Sequence, residues 1–271
     1  MESHILARAP IDFPVIADEL LRVERLEQGG EYGEYIFGSW RSLPLWNGTG
    51  AAKDTRLREY EKVPIPTELV ADFPQISELV RRTFRLELLK WARIFVLDRG
   101  VILPHRDYLE LRNGFKRLHL PLRTDASCLH SEGNDVFHMR AGEVWYLDAT
   151  EIHSACNLWG RSRISVCLDF VPEAQFGDVI RGDCEGTSGS TMVHRPLLAD
   201  DEFQELMGFA RLMTADNFRD IVGALSLVHF YRNIGSAALF EWLLETARSA
   251  GSPELSRRVA SLRALALGES Q

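Results

Sequence analysis

The spacing of apolar residues changes twice along the 271-residue chain. In the N-terminal part, apolar residues recur every three or four positions, which indicates helices with one buried face. Between residues 88 and 170, short segments alternate apolar and polar residues and end at turn residues, as is typical of strands. Beyond residue 197 the helical spacing returns. This order predicts a β core with helices before and after it.

The pattern predicts individual elements in each part. Two N-terminal helices are expected over Pro14–Glu27 and Thr67–Phe84. Turn triplets such as Asp98-Arg99-Gly100 separate the seven strands that follow: Leu88–Leu97, Val101–Pro104, Phe115–Leu122, Asp135–Met139, Glu143–Asp148, His153–Leu158 and Arg163–Phe170. Short strands at such spacing favour a jelly roll, that is, a double-stranded β-helix. Four further helices are predicted: Asp200–Met213, Phe218–Phe230, Ser236–Ala250 and Pro253–Leu267.

A segment rich in Gly, Ser and Thr separates the strands from the last helices. It covers residues 181–196 and shows no apolar period, as expected for a linker. We therefore predict a jelly-roll domain with N-terminal helices over residues 1–180 and a C-terminal helical region over residues 197–271. The predicted fold class is mixed α/β with a β core.

Charge and hydropathy argue against two classes of protein. The chain has 31 Lys and Arg against 39 Asp and Glu, a net charge of −8, so it lacks the overall basic character of a nucleic-acid-binding protein. Its mean hydropathy is −0.13, and the absence of any apolar run of roughly 18 residues predicts no membrane span. The N-terminus lacks the basic and apolar segments of a secretory signal. Four scattered cysteines without a C-x-x-C pair (Cys128, Cys156, Cys167 and Cys184) indicate reduced thiols in a soluble cytoplasmic protein.

Five of the eight histidines lie between residues 105 and 153. Because alternate residues of a strand share a face, His105 and Asp107 would present an imidazole and a carboxylate side by side. His153 follows 46 residues after Asp107. Two histidines and one carboxylate form the facial triad of non-haem Fe(II) oxygenases, which leaves metal positions open. The alternative for the His105–Asp107 pair alone is an ordinary hydrogen bond.

A third element makes the pattern more specific. Arg163 follows ten residues after His153, and Ser165 would share its strand face. Such a pair can hold a carboxylate through a guanidinium contact and a hydroxyl hydrogen bond. A keto acid that chelates the metal at one end would place its other carboxylate there.

Strand parity predicts one polar and one apolar face. Over residues 163–169 the odd positions are Arg, Ser, Cys and Asp, whereas the even positions are Ile, Val and Leu. Arg117 and His119 share a face in the same way, opposite leucines. With a metal triad present, the polar faces are expected to line a shared lumen. Arg93 and Arg117 are then candidates to bind an anionic substrate, and solvated strand ends are the alternative for both.

Three segments, residues 102–111, 137–149 and 153–155, closely resemble the bacterial free-proline hydroxylases. These are the L-proline cis-4-hydroxylases and proline 3-hydroxylases of the Fe(II)/2-oxoglutarate dioxygenase superfamily. The likeness extends to residues 38–40, 45–47 and 217–222. It implies a double-stranded β-helix core with flanking helices, so that residues 1–180 would form a jelly-roll dioxygenase domain.

The resemblance also implies a role for each candidate residue. It makes His105, Asp107 and His153 the catalytic iron ligands. It places Arg163, Ser165 and His119 beside 2-oxoglutarate. Arg93, Arg117, Trp40 and Trp145 would line the substrate pocket, the two arginines facing the carboxylate of the amino acid.

The activity implied is hydroxylation of a free cyclic amino acid, with L-proline to its cis-4 or cis-3 hydroxy product expected first. Succinate and CO₂ would be co-products, Fe(II), 2-oxoglutarate and O₂ would be required, and ascorbate would act as an activator. The expected partner is a small amino acid, with no nucleic acid and no membrane. Residues 122–134 depart from the family pattern and leave the regiochemistry and the amino acid open. Alternatives are a hydroxylase of another free amino acid or of a protein side chain, and a metal-binding jelly roll without oxygenase activity.

Overall fold

The computed structural model describes residues 1–26, 36–56, 60, 63–107, 114–181 and 191–268. In these residues the strands are β1 His4–Arg8, β2 Ile36–Asn47, β3 Ile65–Pro66, β4 Leu89–His105, β5 Lys116–Arg123, β6 Cys128–Glu132, β7 Asp135–Phe137, β8 Glu143–Leu147, β9 His153–Asn157 and β10 Arg163–Phe170. The helices are α1 Phe13–Arg25, α2 Leu69–Asp72, α3 Pro74–Thr83, α4 Phe176–Val179, α5 Asp200–Ala210, α6 Phe218–Ser226, α7 Val228–Tyr231, α8 Ala238–Ser249 and α9 Pro253–Leu267. A 3₁₀ turn covers Leu86–Leu88.

The strands form one antiparallel sheet in the order β1-β8-β5-β10-β4-β9-β6-β7, with β2 paired to β4 and β3 to β2. Strand β4 holds the arrangement together because it spans 17 residues. β10 pairs with its first half and β9 with its last residues, whereas β2 runs along most of its length. The sheet therefore divides into two curled halves around a lumen. The predicted jelly-roll fold with flanking helices is confirmed.

Helices α1 and α3 cover the outer face of the first half of the sheet. Their buried residues, Ile16 and Ile76 among them, pack against the even-numbered apolar residues of β4, β5 and β10, such as Leu118 and Ile164. At Arg93 and Phe95 of β4, and along β5 and β10, the odd-numbered positions face the other way, into the lumen. The predicted parity is therefore correct, and it leaves the polar residues of three strands on one surface.

The C-terminal helices cover the second half of the sheet. Leu103 packs against α6, α8 and α9, and Val101 packs near Phe230 of α7. A polar contact joins the two parts as well, since His229 Nε2 lies 2.9 Å from Ser131 Oγ. Burial lowers the pKa of His229 to about 3, so this histidine is neutral at neutral pH. The helical region therefore forms an extended contact with the β core.

Two predicted helices are interrupted in the structure. Thr67–Phe84 is wrong as a single helix, because α2 ends before Phe73 and α3 begins at Pro74. A residue that precedes proline is pushed out of the helical region, and Phe73 has φ −122° and ψ 63°. The predicted helix 218–230 divides into α6 and α7, and the Ser226 hydroxyl donates to the Gly223 carbonyl at the division.

The predicted turn at residues 98–100 is also wrong, because β4 continues through it. Gly100 has φ +152° and pairs with Gly38, which has φ +112°. A Cβ on Gly100 would lie 1.9 Å from the Phe37 carbonyl oxygen. These two glycines allow β2 and β4 to approach each other closely at the position where the sequence predicts a turn.

Strands β1, β2, β3 and β6 were not predicted. All five residues of β6 are buried, so the alternation that reveals a half-exposed strand is absent. In β2, Gly38 and Pro44 interrupt the expected composition of a strand.

Two expectations from composition can be compared with the structure. None of the described helices combines the length and the apolarity needed to cross a membrane. Cys128, Cys156 and Cys167 are free, buried thiols. Cys184 and most of the predicted linker, residues 182–190, lie outside the described residues, and the division of the chain at residues 181–196 stays a prediction.

We predict that Gly100→Ala lowers the free energy of unfolding by about 2–4 kcal/mol, because the added Cβ meets backbone and the positive φ is unfavourable for alanine. Urea unfolding followed by circular dichroism measures this. Gly177→Ala is the control, since apart from its chain neighbours and its own helix backbone no atom lies within 4 Å of its added Cβ; it should change stability by less than about 1 kcal/mol. Equal stability of the two variants would contradict the close approach of β2 and β4.

Candidate metal centre and the lumen beside it

The three predicted metal ligands come together at one end of the lumen. His105 is the last residue of β4 and His153 the first of β9, and the two are paired across the strands. The Asp107 backbone N–H donates to the Ala149 carbonyl, with an N···O distance of 2.8 Å, which fixes the segment after β4. One donor atom from each side chain lies within 4.8 Å of the other two.

A β-bulge turns His105 toward His153. Ile102 pairs with Ala155, but the next pair is His105 with His153, so β4 contains one residue more than β9 between these pairs. Before the bulge the odd-numbered Leu103 points outward into the core beneath the C-terminal helices. The extra residue reverses the parity, and the odd-numbered His105 faces inward. Pro104 lies within the bulge, where a missing N–H donor is tolerated.

Hydrogen bonds to carbonyls define which ring nitrogen carries a proton in both histidines. His105 Nδ1 lies 2.7 Å from the Leu103 carbonyl oxygen, and His153 Nδ1 lies 2.9 Å from that of Glu151. Because a carbonyl only accepts, each Nδ1 must carry a proton, and in a neutral ring the lone pair is then on Nε2. Such bonds orient the histidine ligands of metal sites.

The two Nε2 atoms face the carboxylate of Asp107. His105 Nε2 lies 3.4 Å from Oδ1 and His153 Nε2 lies 3.6 Å from Oδ2. Burial and the neighbouring His105 lower the pKa of His153, which favours the neutral ring. Although burial opposes its ionisation, Arg117 and both histidines hold the pKa of Asp107 well below its usual value. With each Nδ1 bonded to a carbonyl, the two Nε2 atoms and the Asp107 carboxylate converge on one point, and this donor set fits a divalent metal.

Arg163 and Ser165 face the lumen from β10, as predicted. The Arg163 side chain is buried, and no carboxylate among the described residues forms an ion pair with it. Burial lowers its pKa. A buried cation without a counter-ion is costly, so the part of the lumen around Arg163 is suited to an anionic ligand. Ser165 Oγ lies 3.4 Å from His119 Nδ1.

His119 lies close enough to His153 and to three arginines of the lumen to feel their charges. Burial, followed by the charges of Arg163, Arg117, His153 and Arg93, lowers its pKa well below the usual value. Its Nε2 is buried and has no hydrogen-bond partner among the residues that the structure describes.

His130 of β6 was not predicted as a site residue. Its ring centroid lies 5.8 Å from that of His119, and its Nε2 is likewise buried without a described partner. The sequence signal for it was weak, because it lies in the segment that departs from the family pattern. The lumen thus holds two neutral histidines with an unused polar atom each.

Arg93 and Arg117 are buried, so the alternative of solvated strand ends is wrong. Both donate to Asp169, which is fully buried: Arg93 Nη2 lies 2.6 Å from Oδ2, and Arg117 Nε lies 2.8 Å from Oδ1. Arg117 Nη1 also donates to Asp107. Sequence parity placed Asp169 on the polar face of β10 but gave it no role.

The two predicted tryptophans occupy different positions. Trp145 is buried and stacks on Phe137 with 4.9 Å between ring centroids, and its Nε1 donates to Glu143. Trp40 is half-buried and packs on Phe95 with 4.5 Å between centroids. Phe95 is itself partly exposed and lies 4.8 Å from the guanidinium carbon of Arg93. Trp40 therefore lies near the arginines, whereas Trp145 belongs to the packed wall.

Comparisons with known proteins identify the family. A family model described as L-proline 3-hydroxylase, C-terminal, matches residues 181–271, and one described as Aspartyl/Asparaginyl beta-hydroxylase matches residues 12–172. The chain is 31% identical over 270 residues to the L-proline cis-4-hydroxylase of Rhizobium meliloti (strain 1021), which covers 99% of this chain and 96% of that protein. It is 31% identical over 285 residues to L-proline cis-3-hydroxylase 1 of Streptomyces sp, with 99% and 96% covered.

This chain belongs to the L-proline hydroxylase family. The predicted resemblance is therefore confirmed, and it extends over both parts of the chain. The C-terminal helices contact the segment that carries two of the candidate metal ligands. The Arg106 backbone N–H donates to the Ala266 carbonyl in α9, with an N···O distance of 2.8 Å. The last helix thus supports the residue between His105 and Asp107.

We predict that the wild-type protein binds one divalent metal ion per chain and that Asp107→Ala weakens this binding by at least about 100-fold, since even residues outside the ligand set of a metal site change affinity about 10- to 100-fold. Anaerobic titration calorimetry with Fe(II) measures this. Asp200→Ala, at an exposed position that begins α5, should bind like the wild type. Wild-type affinity in Asp107→Ala would exclude the triad as the metal centre.

Proposed function

We propose that this protein is an Fe(II)- and 2-oxoglutarate-dependent hydroxylase of a free cyclic amino acid, with L-proline as its first substrate. The observation that carries the proposal is the convergence of the Asp107 carboxylate with the Nε2 atoms of His105 and His153, in the same lumen as the buried Arg163. The names of the relatives, L-proline cis-4- and cis-3-hydroxylase, support the choice of substrate.

In this proposal His105, Asp107 and His153 hold the iron. Three protein ligands leave coordination positions for 2-oxoglutarate and O₂. Bound iron would supply the activation of O₂, coupled to oxidation of 2-oxoglutarate, that C–H hydroxylation requires. Over one turnover, 2-oxoglutarate becomes succinate and CO₂, and one oxygen atom of O₂ enters succinate while the other enters the amino acid. We expect ascorbate to act as an activator by keeping the iron reduced.

Arg163 and Ser165 would bind the carboxylate of 2-oxoglutarate that lies away from the metal. A guanidinium group can hold a carboxylate through two parallel hydrogen bonds, and a hydroxyl adds a third. His119 lies beside Ser165 and offers its unused Nε2. Binding a dianion here removes the cost of burying Arg163 without a counter-ion.

Arg93 and Arg117 would bind the carboxylate of the amino acid. A zwitterionic imino acid always carries this group, and two guanidinium groups can fix the ring relative to the metal. Trp40 offers an apolar surface near Arg93, by way of Phe95. Trp145, in the packed wall, would help to exclude water from the lumen.

The lumen also bears on the size of the substrate. Its polar groups come from buried positions on several strands, which suits a small molecule better than a protein side chain on a surface loop.

We also propose that the protein is cytoplasmic. The buried free thiols of Cys128, Cys156 and Cys167 are consistent with this location.

The proposed activity is tested with a panel of free L-amino and imino acids incubated with Fe(II), ascorbate and 2-oxoglutarate. We expect L-proline to gain one oxygen atom, with an equal amount of succinate formed. Mass spectrometry detects the gain, and NMR assigns the product as cis-4- or cis-3-hydroxyproline. Oxidation of another amino acid would replace the substrate, and absence of succinate from every mixture would exclude the oxygenase activity.

We predict that Arg163→Ala raises the KM for 2-oxoglutarate roughly 10- to 100-fold, because it removes charge-assisted hydrogen bonds worth about 1.5–3 kcal/mol. Succinate release at varied 2-oxoglutarate concentration measures this KM. Arg161→Ala is the matched control, since Arg161 lies two residues away, is exposed and pairs with Glu24. An unchanged KM in Arg163→Ala would show that the co-substrate binds elsewhere.

A further inference from the structure

We infer that Asp169 is a positioning residue for substrate binding: it holds the guanidinium groups of Arg93 and Arg117 in place. The inference rests on the proposed function, in which these arginines bind the carboxylate of the amino acid. Asp169 lies opposite Arg117 in the pairing of β10 with β5, and Cys167, two residues earlier, lies opposite Arg93 in the pairing with β4. The carboxylate is therefore flanked by both arginine-bearing strands.

Each oxygen of Asp169 accepts from a different arginine. Oδ2 accepts from Arg93 Nη2 at 2.6 Å, and Oδ1 accepts from Arg117 Nε at 2.8 Å. Arginine side chains have several rotatable bonds, so two charge-assisted contacts to one buried carboxylate restrict both of them. Arg93 is further confined by the ring of Phe95 beneath its guanidinium carbon.

Arg117 is held between two carboxylates with different tasks. Its Nε donates to Asp169 and its Nη1 donates to the metal ligand Asp107. Without the Asp169 contact, the guanidinium group is able to rotate and engage Asp107 through two nitrogens, the geometry that arginine and carboxylate prefer. That rotation would move Arg117 away from the substrate. Asp169 thus separates the substrate-binding role of Arg117 from its contact with the metal centre.

The charges support the same assignment. Asp169 lies between two guanidinium groups of like charge and contacts both of them. Loss of its charge would leave these two groups in mutual repulsion. The carboxylate therefore holds the two arginines together by its charge as well as by its hydrogen bonds.

Asp169→Glu tests position against charge. The variant keeps the carboxylate but moves it by one methylene, so the arginines lose their position while the net charge is unchanged. We expect at least about a 10-fold weaker affinity for L-proline, as for loss of a charge-assisted contact, and a lower ratio of hydroxyproline to succinate. Calorimetry of L-proline binding to the anaerobic protein with Fe(II) and 2-oxoglutarate measures the affinity, and paired product counting measures the ratio.

Asp178→Glu, the same change at an exposed position of α4, should match the wild type in both measurements. Asp169→Asn provides a second variant, which retains the shape but not the charge and should show the same two losses. Wild-type affinity and ratio in a folded Asp169→Glu would overturn the inference and leave Asp169 as a neutralising charge. A wild type that forms no hydroxyproline would instead overturn the proposed function, and this inference with it.

Discussion

A continuous series of ion pairs, buried except at the half-buried Asp107, connects the candidate metal ligands to the wall of the lumen. It runs from Asp107 to Arg117, from Arg117 to Asp169 and from Asp169 to Arg93. Charges removed from water are tolerated only when they are paired and hydrogen-bonded. The series therefore constrains the strands β4, β5 and β10, because their registers must bring these side chains within hydrogen-bond distance. Arg163 is not part of this series. Its buried charge favours an anionic ligand, which is the main reason to propose that 2-oxoglutarate binds beside it.

Strand β4 connects the two groups of site residues. Its first half contributes Arg93 to the sheet that carries Arg117 and Asp169, and its last residue, His105, faces His153 in the other half. One strand thus carries both a proposed substrate contact and a metal ligand. The bulge before His105 is essential to this geometry, because a regular strand would point the imidazole toward the C-terminal helices. The glycine contact at Gly38 and Gly100 keeps the strand continuous between the two ends.

The C-terminal helices support the candidate metal centre from outside the sheet. The carbonyl of Ala266 accepts from the Arg106 backbone, so the end of α9 supports the segment that carries Asp107. The contact of His229 with Ser131 joins the same helical region to β6, the strand that carries His130 into the lumen. Residues far in sequence from the candidate metal ligands therefore influence the position of these ligands through backbone and buried polar contacts.

The sequence by itself determined the features that depend on local spacing. Alternation along β5 and β10 separated polar from apolar faces correctly, and the spacing of His105, Asp107, His153 and Arg163 indicated a candidate metal triad, whose donor atoms the structure brings together, and a candidate carboxylate-binding residue. The predicted helix Pro253–Leu267 has the same bounds as α9, whose start is capped by the Ser252 side chain accepting from the Leu255 N–H. Only the tertiary structure decided the parity of His105, since a bulge depends on the partner strand. The same holds for His130, hidden in a strand buried on both faces, and for Asp169, whose two arginine partners lie 76 and 52 residues away in the chain. Local pattern reports which face a side chain occupies, whereas the partner that makes a buried charge tolerable comes from another strand and is defined only when the sheet closes.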